Sequence, residues 1–307
     1  MSTSTRRRKP VTAASAAPVV TAAEAAVPAG LPHHEEARTK PFAPLDSLEM
    51  LSAPGPWLML LEARAPWEYA AMVAAAPWLN KIPTGDGHPV IVFPGLGASD
   101  MSTAPLRNFL RERGYTPYAW KQGFNFGPRH GVLDRCRAQV HQVSSHHRER
   151  VSLIGWSLGG IYAREIAKEQ PDHARCVITL GTPFTGHPRA TNAWRFYEMV
   201  SGQAVHDHEL VAQIRLPPAC PTTSIYSKTD GVVSWQCSIN DKHPHTENIE
   251  VHASHIGMGM NPLALYAIAD RLSQDPHAWR RFDIKGARRW FYKVTHQSPT
   301  QAGWGFL

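Results

Sequence analysis

One serine in this chain stands where its hydroxyl could serve as a nucleophile. In Leu153-Ile154-Gly155-Trp156-Ser157-Leu158-Gly159-Gly160 the pattern G-x-S-x-G follows a short apolar run, Val151 to Ile154, and precedes Ile161-Tyr162-Ala163-Arg164-Glu165-Ile166-Ala167. The first run reads as a buried strand and the second as a helix. A strand-turn-helix corner of this kind bends the backbone sharply and leaves the serine hydroxyl exposed. Gly155 and Gly159 have a mechanical reason to lack side chains, because two residues either side of Ser157 the backbone presses against itself. A glycine-rich turn before a helix is also common architecture, so the chemistry requires a base and an acid elsewhere in the chain.

Both residue types follow downstream. Thr222 to Tyr226 reads as a strand, and the loop after it carries Asp230-Gly231, where a carboxylate can orient a base or simply cap a turn. Asn248 to Gly259 offers two histidines. His252 belongs to the predicted strand Ile249 to His252, whereas His255 lies just after it in a glycine-bearing loop, from which its ring can reach back over the sheet edge. His255 is therefore the expected base. His243, His245, His252 and His255 lack helical or knuckle spacing and have no carboxylate or thiolate companion, which argues against a metal site.

A fourth element is the loop Phe93-Pro94-Gly95-Leu96-Gly97-Ala98-Ser99 at the end of a predicted strand. As a dinucleotide fingerprint it fails: Asp100 stands at the third glycine position, and the next strand ends at Trp120-Lys121 without the required acidic residue. The same loop can aim a backbone N–H at an oxyanion. That donor is assigned to Leu96, with the N–H of Leu158 as its partner. No cofactor is expected.

These residues need a scaffold that brings remote loops to one edge. From His88 the chain alternates predicted strands (His88 to Phe93, Thr116 to Trp120, Val151 to Ile154, Cys176 to Leu180, Thr222 to Tyr226, Ile249 to His252) with predicted helices (Ala104 to Arg113, Gly131 to His147, Leu158 to Glu169, Pro262 to Leu272). Such alternation implies an α/β fold, a parallel sheet with helices on both faces and reactive groups at the carboxyl ends of the strands.

Taken in order, Pro94-Gly95-Leu96-Gly97, Gly155-Trp156-Ser157-Leu158-Gly159-Gly160, Asp230 and His255 resemble the α/β-hydrolase superfamily, and residues 88–272 are similar in layout to bacterial lipases and esterases. Ile178-Thr179-Leu180-Gly181-Thr182-Pro183-Phe184 resembles the segment bordering the acyl pocket of those enzymes. The resemblance implies a mostly parallel central sheet, a small helical cap, and a Ser157-His255-Asp230 triad. It also implies Trp156, Pro183 and Phe184 as pocket candidates. Pro94-Gly95 replaces the common His-Gly of the oxyanion loop, Trp156 fills a position often held by His, Tyr or Phe, and the first two strands of the full fold are not evident, so about six strands are expected. The family places its cap where residues 185–218 lie, with Trp194, Phe196, Tyr197, Met199, Val200, Leu210, Val211 and Ile214 as its apolar positions.

The remaining chain divides by composition. Residues 1–44 are rich in Ala, Pro, Thr and Val with little periodicity and read as a disordered leader; Arg6 to Lys9 only faintly resembles an export signal, so a cytoplasmic location is expected. Residues 45–84 form an apolar segment that Pro54, Pro56, Pro66 and Pro77 should divide into short helices, either packed on residues 85–275 or serving as a lid or membrane-touching element. Residues 276–307 are a basic, aromatic tail. Cys220 and Cys237 are candidates for a disulfide or a reduced pair. The net charge of +7 collects at the two ends without a zinc-finger or RNP signature, so nucleic acid is not an expected partner, while contact with anionic lipid stays open.

The expected activity is hydrolysis of carboxylic esters with apolar acyl chains through an acyl-enzyme. Acyl transfer or thioester cleavage by the same triad is the alternative, and a non-catalytic binding module is a third reading.

Overall fold

Strands buried along their whole length are the signature of a sheet covered on both faces. Pro89–Phe93 (β1) and Val151–Trp156 (β3) are buried at every position in the computed structural model, which describes residues 51–82, 84–185, 190–192, 213–275 and 278–295. The other strands are Thr116–Ala119 (β2), Ala174–Leu180 (β4), Thr222–Tyr226 (β5), Thr246–Glu250 (β6) and Lys293–Thr295 (β7). They form one seven-stranded sheet in the order β2-β1-β3-β4-β5-β6-β7. Every neighbouring pair is parallel except β6 with β7.

Alternation along the strands sorts their side chains into two cores. Val90, Val92 and Ile154 face Leu106, Phe109 and Leu110 of the helix Ala104–Glu112 (α3) and Leu265 and Ile268 of Pro262–Leu272 (α6). Ile91, Phe93 and Leu153 face Cys136 and Val140 of Val132–His147 (α4) and Ile166 of Leu158–Glu169 (α5). The chain leaves β1 for β2 on one side and returns to β3 on the other. The carboxyl ends of β1 and β3 therefore flank the topological switch point, where open sheets of this type hold their ligands.

Three departures from the sequence reading have physical causes. β6 begins at Thr246, three residues before the predicted Ile249, and its polar residues are buried because they are paired. Glu247 Oε1 accepts from Thr223 Oγ1 at 2.8 Å and Arg271 Nη1 at 2.9 Å, and Oε2 accepts from Phe282 N at 2.7 Å. Part of the basic tail belongs to the domain: β7 adds a seventh strand where six were expected, and Phe282 and Tyr292 are buried with ring centroids 4.9 Å apart. Pro77 does not divide the N-terminal segment. Pro56–Leu61 (α1) passes through a single 3-10 turn, Glu62–Arg64, into Ala65–Leu79 (α2), with Pro77 inside the last turn of α2.

This segment, the strap below, anchors Leu79 and Ile82 in the core while Trp57, Leu60, Trp67 and Val73 stay more than half exposed. The leader, most of the insert 185–218 (186–189 and 193–212) and the end of the tail (296–307) lie outside the described residues. All four cysteines are free thiols; Cys220 and Cys237 belong to separate apolar clusters. No helix among the described residues is long and apolar enough to cross a membrane.

Removing one partner of a buried ion pair leaves the other charge uncompensated, at a cost of about 3–5 kcal/mol. Arg271→Met, which strands Glu247, is expected to lower the urea-unfolding free energy by about that amount; wild-type stability would contradict the pairing as the reason β6 can be both polar and buried.

Candidate active site

Ser157 has φ 52° and ψ −123°, a backbone region that non-glycine residues avoid, at a cost of about 1–3 kcal/mol. Its surroundings enforce the bend. A Cβ on Gly155 would lie 2.2 Å from Gly160 Cα, and one on Gly159 would lie 2.4 Å from Phe93 O, so β3, α5 and the end of β1 close to a distance that only glycine permits. Ser157 N donates to Leu180 O of β4 at 2.8 Å. Ser157 and Leu158 are both half-buried, at the carboxyl edge of the sheet.

The loop after β1 sits directly on this corner: a Cβ on Gly95 would lie 3.2 Å from Ser157 Cβ. Asn125, fully buried, fixes the loop, and the sequence reading missed it. Its Nδ2 donates to Pro94 O at 2.8 Å, its backbone carbonyl accepts from Gly97 N at 2.7 Å, and its N donates to Ala98 O at 2.8 Å. Its Oδ1 accepts from Tyr162 Oη of α5 at 3.0 Å. A polar residue in a glycine-bearing stretch carries no periodic signal, so its role becomes visible only once the loop is folded. Among the described residues the N–H groups of Leu96 and Leu158 donate to no protein acceptor.

Asp230 and His255 meet at the end of β4. Asp230 lies in the loop after β5 and is buried; its Oδ1 accepts from Val232 N and Val233 N, each at 2.8 Å, and its Oδ2 faces His255 Nδ1 at 2.7 Å. An ionised carboxylate can only accept, so Nδ1 carries the proton and Nε2 is left as the acceptor. His252, the competing histidine, is exposed. Burial pulls the His255 pKa down, but the Asp230 charge, the Asp230 hydrogen bond and the Glu62 charge together outweigh it, and the net shift is upward. Both side chains pack against the end of β4. Gly181 has φ 53°, and a Cβ there would lie 2.9 Å from Asp230 Oδ2 and 3.0 Å from His255 Nδ1.

Trp156 ties the base to the corner by another route. Its Nε1 donates to His255 O at 2.9 Å, and Gly259 packs on its ring so closely that a Cβ there would lie 2.6 Å from Cζ3. Trp156 is buried in the core, and its bond to the His255 carbonyl braces the His255 loop. Phe184 is likewise buried, beneath the Arg164 guanidinium at 3.9 Å, and Pro183 is half-buried. Trp156, the residue before Ser157, links this corner to the His255 loop; among the described residues no hydrogen bond links the Ser157 hydroxyl to the ring.

Burial pushes the Cys220 and Cys237 thiols each up to about 12, with the nearby Asp230 charge adding to the effect at Cys237.

The arrangement predicts that the His255 ring titrates above the ordinary histidine value, and that Asp230→Asn moves the titration down. Imidazole NMR across pH checks this; a wild-type His255 titrating at or below the ordinary value would contradict the upward push of Asp230.

No family model matches the chain. Solved structures similar to it include a lipase B from Aspergillus fumigatus, at 18% identity and a TM-score of 0.51, with 62% of this chain and 53% of that one aligned. Also similar are a mature lipase from Bacillus licheniformis (15% identity, TM-score 0.48, 63% of this chain and 95% of that one) and a monoacylglycerol lipase from Paleococcus ferrophilus (15%, 0.46, 62% and 96%). This chain thus spans about half the length of the Aspergillus protein. The seven-stranded, mostly parallel sheet, its flanking helices and the likeness to the Aspergillus structure together identify the chain as having the α/β-hydrolase fold.

Proposed function

We propose that this protein is a serine hydrolase of carboxylic esters, with Ser157 as nucleophile, His255 as general base and acid, and Asp230 as the carboxylate that orients His255. The observation that carries the reading is the buried 2.7 Å contact of Asp230 with His255 Nδ1, with the His255 carbonyl held by Trp156, the residue before the strained Ser157. In the proposed reaction His255 Nε2 removes the Ser157 proton as Oγ attacks the carbonyl carbon. The N–H groups of Leu96 and Leu158 stabilise the oxyanion, and Asp230 stabilises the imidazolium. Collapse of the tetrahedral species breaks the ester C–O bond and the alkoxide takes the proton from His255. Water then repeats the sequence on the acyl-enzyme, releasing the acid and restoring Ser157.

Apolar acyl groups are the proposed substrate class, because the outer face of the strap is aromatic and aliphatic, with Trp57, Leu60, Trp67 and Trp78 exposed on a segment bonded to the loops that carry Asp230 and His255. The same face suits peripheral contact with a lipid surface, where Trp side chains are favoured. The similar Aspergillus protein is named a lipase, which agrees with this reading.

Ser157→Ala is expected to reduce turnover of p-nitrophenyl esters by roughly 10⁴-fold or more, and wild-type kcat/KM is expected to rise from acetate to medium-chain esters. Undiminished turnover by Ser157→Ala would eliminate the scheme; a preference for acetate would eliminate the apolar substrate class. Partition of the acyl group between water and an added alcohol separates hydrolysis from acyl transfer.

A further inference from the structure

Between Leu51 and Leu79 the sequence carries three charged residues, Glu62, Arg64 and Glu68, in an otherwise uncharged, apolar stretch. On an amphipathic surface helix such charges would face water. Here Glu62 and Glu68 are buried, and both carboxylates point into the loops that carry Asp230 and His255. Glu62 Oε1 accepts from Gly231 N at 2.8 Å and from His255 N at 2.9 Å, and its Oε2 accepts from Ile256 N at 2.9 Å. One oxygen thus bridges the residue after the acid and the base itself. Glu68 Oε1 accepts from Ser254 N at 2.7 Å and its Oε2 from Ser254 Oγ at 2.5 Å, while Ser254 Oγ in turn accepts from Gly257 N at 2.9 Å. Arg64 Nη2 completes the set, donating to Thr229 Oγ1 at 2.7 Å and Thr229 O at 3.0 Å.

The loops are shaped to receive this segment. A Cβ on Gly231 would lie 2.2 Å from Leu58 O, and one on Gly257 would lie 1.6 Å from Glu68 Oε2. These glycines, one next to Asp230 and one two residues after His255, occupy their places because the strap fills the space a side chain would need. A strap held by apolar packing alone would need neither the buried carboxylates nor the two bare backbones. Hydrogen bonds from backbone N–H to a buried carboxylate are charge-assisted and directional, so they fix positions more closely than apolar contact.

We propose that the strap is a positioning element of the site: Glu62, by gathering the N–H groups of Gly231, His255 and Ile256 on one carboxylate, sets the distance between the Asp230 loop and the His255 loop, and Glu68 fixes the latter at Ser254. Glu62 and Glu68 are positioning residues that act through the loops and do not touch the reacting atoms. The inference rests on the reading of Ser157, His255 and Asp230 as the catalytic unit. It also makes the strap a fixed part of the site rather than a lid that opens over it.

The test is Glu62→Gln, which keeps the shape of the side chain but removes its charge and one acceptor. Per folded molecule, with the folded fraction fixed by near-ultraviolet circular dichroism, kcat is expected to fall roughly 10- to 100-fold while KM stays within about two-fold, as expected for loss of an interaction that orients the transition state. The charged groups set around the ring are Asp230 and Glu62, with Glu68 and Arg64 further along the strap. Glu62 raises the His255 pKa, so its neutralisation is expected to move the acid limb of kcat/KM to lower pH, a shift that loss of packing alone would not produce. Wild-type kcat and an unmoved acid limb would overturn the proposal. Should Glu62→Gln not fold, Ser254→Ala removes the hydroxyl that links Glu68 Oε2 to Gly257 N while Ser254 N stays on Glu68 Oε1, and it is expected to lower kcat several-fold at constant KM; wild-type kcat in that variant would overturn the proposal. Ser157→Ala measured alongside keeps the two readings apart: an active Ser157→Ala overturns the catalytic assignment, whereas an inactive Ser157→Ala with a fully active Glu62→Gln overturns only the role of the strap.

Discussion

The site depends on one backbone constraint, the closure of β3, α5 and the end of β1 around Ser157. Three glycines, Gly95, Gly155 and Gly159, let these chains approach to distances that leave little or no room for a Cβ, and the resulting corner holds Ser157 at a positive φ. The strain of that residue is sustained because strands buried at every position over-determine the corner from both sides. Everything else in the site is fastened to it. Gly95 brings the loop after β1 against Ser157 Cβ, Leu180 O receives the Ser157 N–H, and Trp156 reaches from the preceding residue to the His255 carbonyl.

A second layer of the design concerns charge. Asp230 is buried with its Oδ1 occupied by two backbone N–H groups and its Oδ2 on His255, so one carboxylate serves both the loop and the ring. Glu62 repeats the device from the other side. Isolated carboxylates in such an environment would be costly to keep ionised. Charge-assisted bonds from backbone N–H groups compensate, and the imidazole can accept a proton between two negative groups. The proposed chemistry uses this environment, because the cation formed on His255 during attack is stabilised by the nearby carboxylates.

Much of the scaffold was legible in the sequence, because apolar runs buried on both faces leave an unbroken signal. β1, β3 and β5 and the helices α3 to α6 lie within a residue or two of where periodicity and turn residues placed them. The corner at Ser157 was legible for the same reason that it works: only glycine fits on either side. β6 and β7 were harder. Glu247 and Asn248 look like loop residues, and they are buried with partners that come from elsewhere in the chain, Arg271 and Thr223 on Glu247 and Thr295 on Asn248. The brace made by Trp156 and the strap contacts of Glu62 and Glu68 are tertiary facts without a local pattern. One signal was available: three charges set alone in an apolar stretch are poorly placed for solvation and therefore call for internal partners.

The central claim is that Ser157 is made nucleophilic by His255, and covalent labelling tests it most directly. With a fluorophosphonate followed by peptide mass spectrometry, the expected result is a single adduct on Ser157 that is lost in folded His255→Ala. An adduct elsewhere, or one on Ser157 that forms as fast without the imidazole as with it, would contradict the claim.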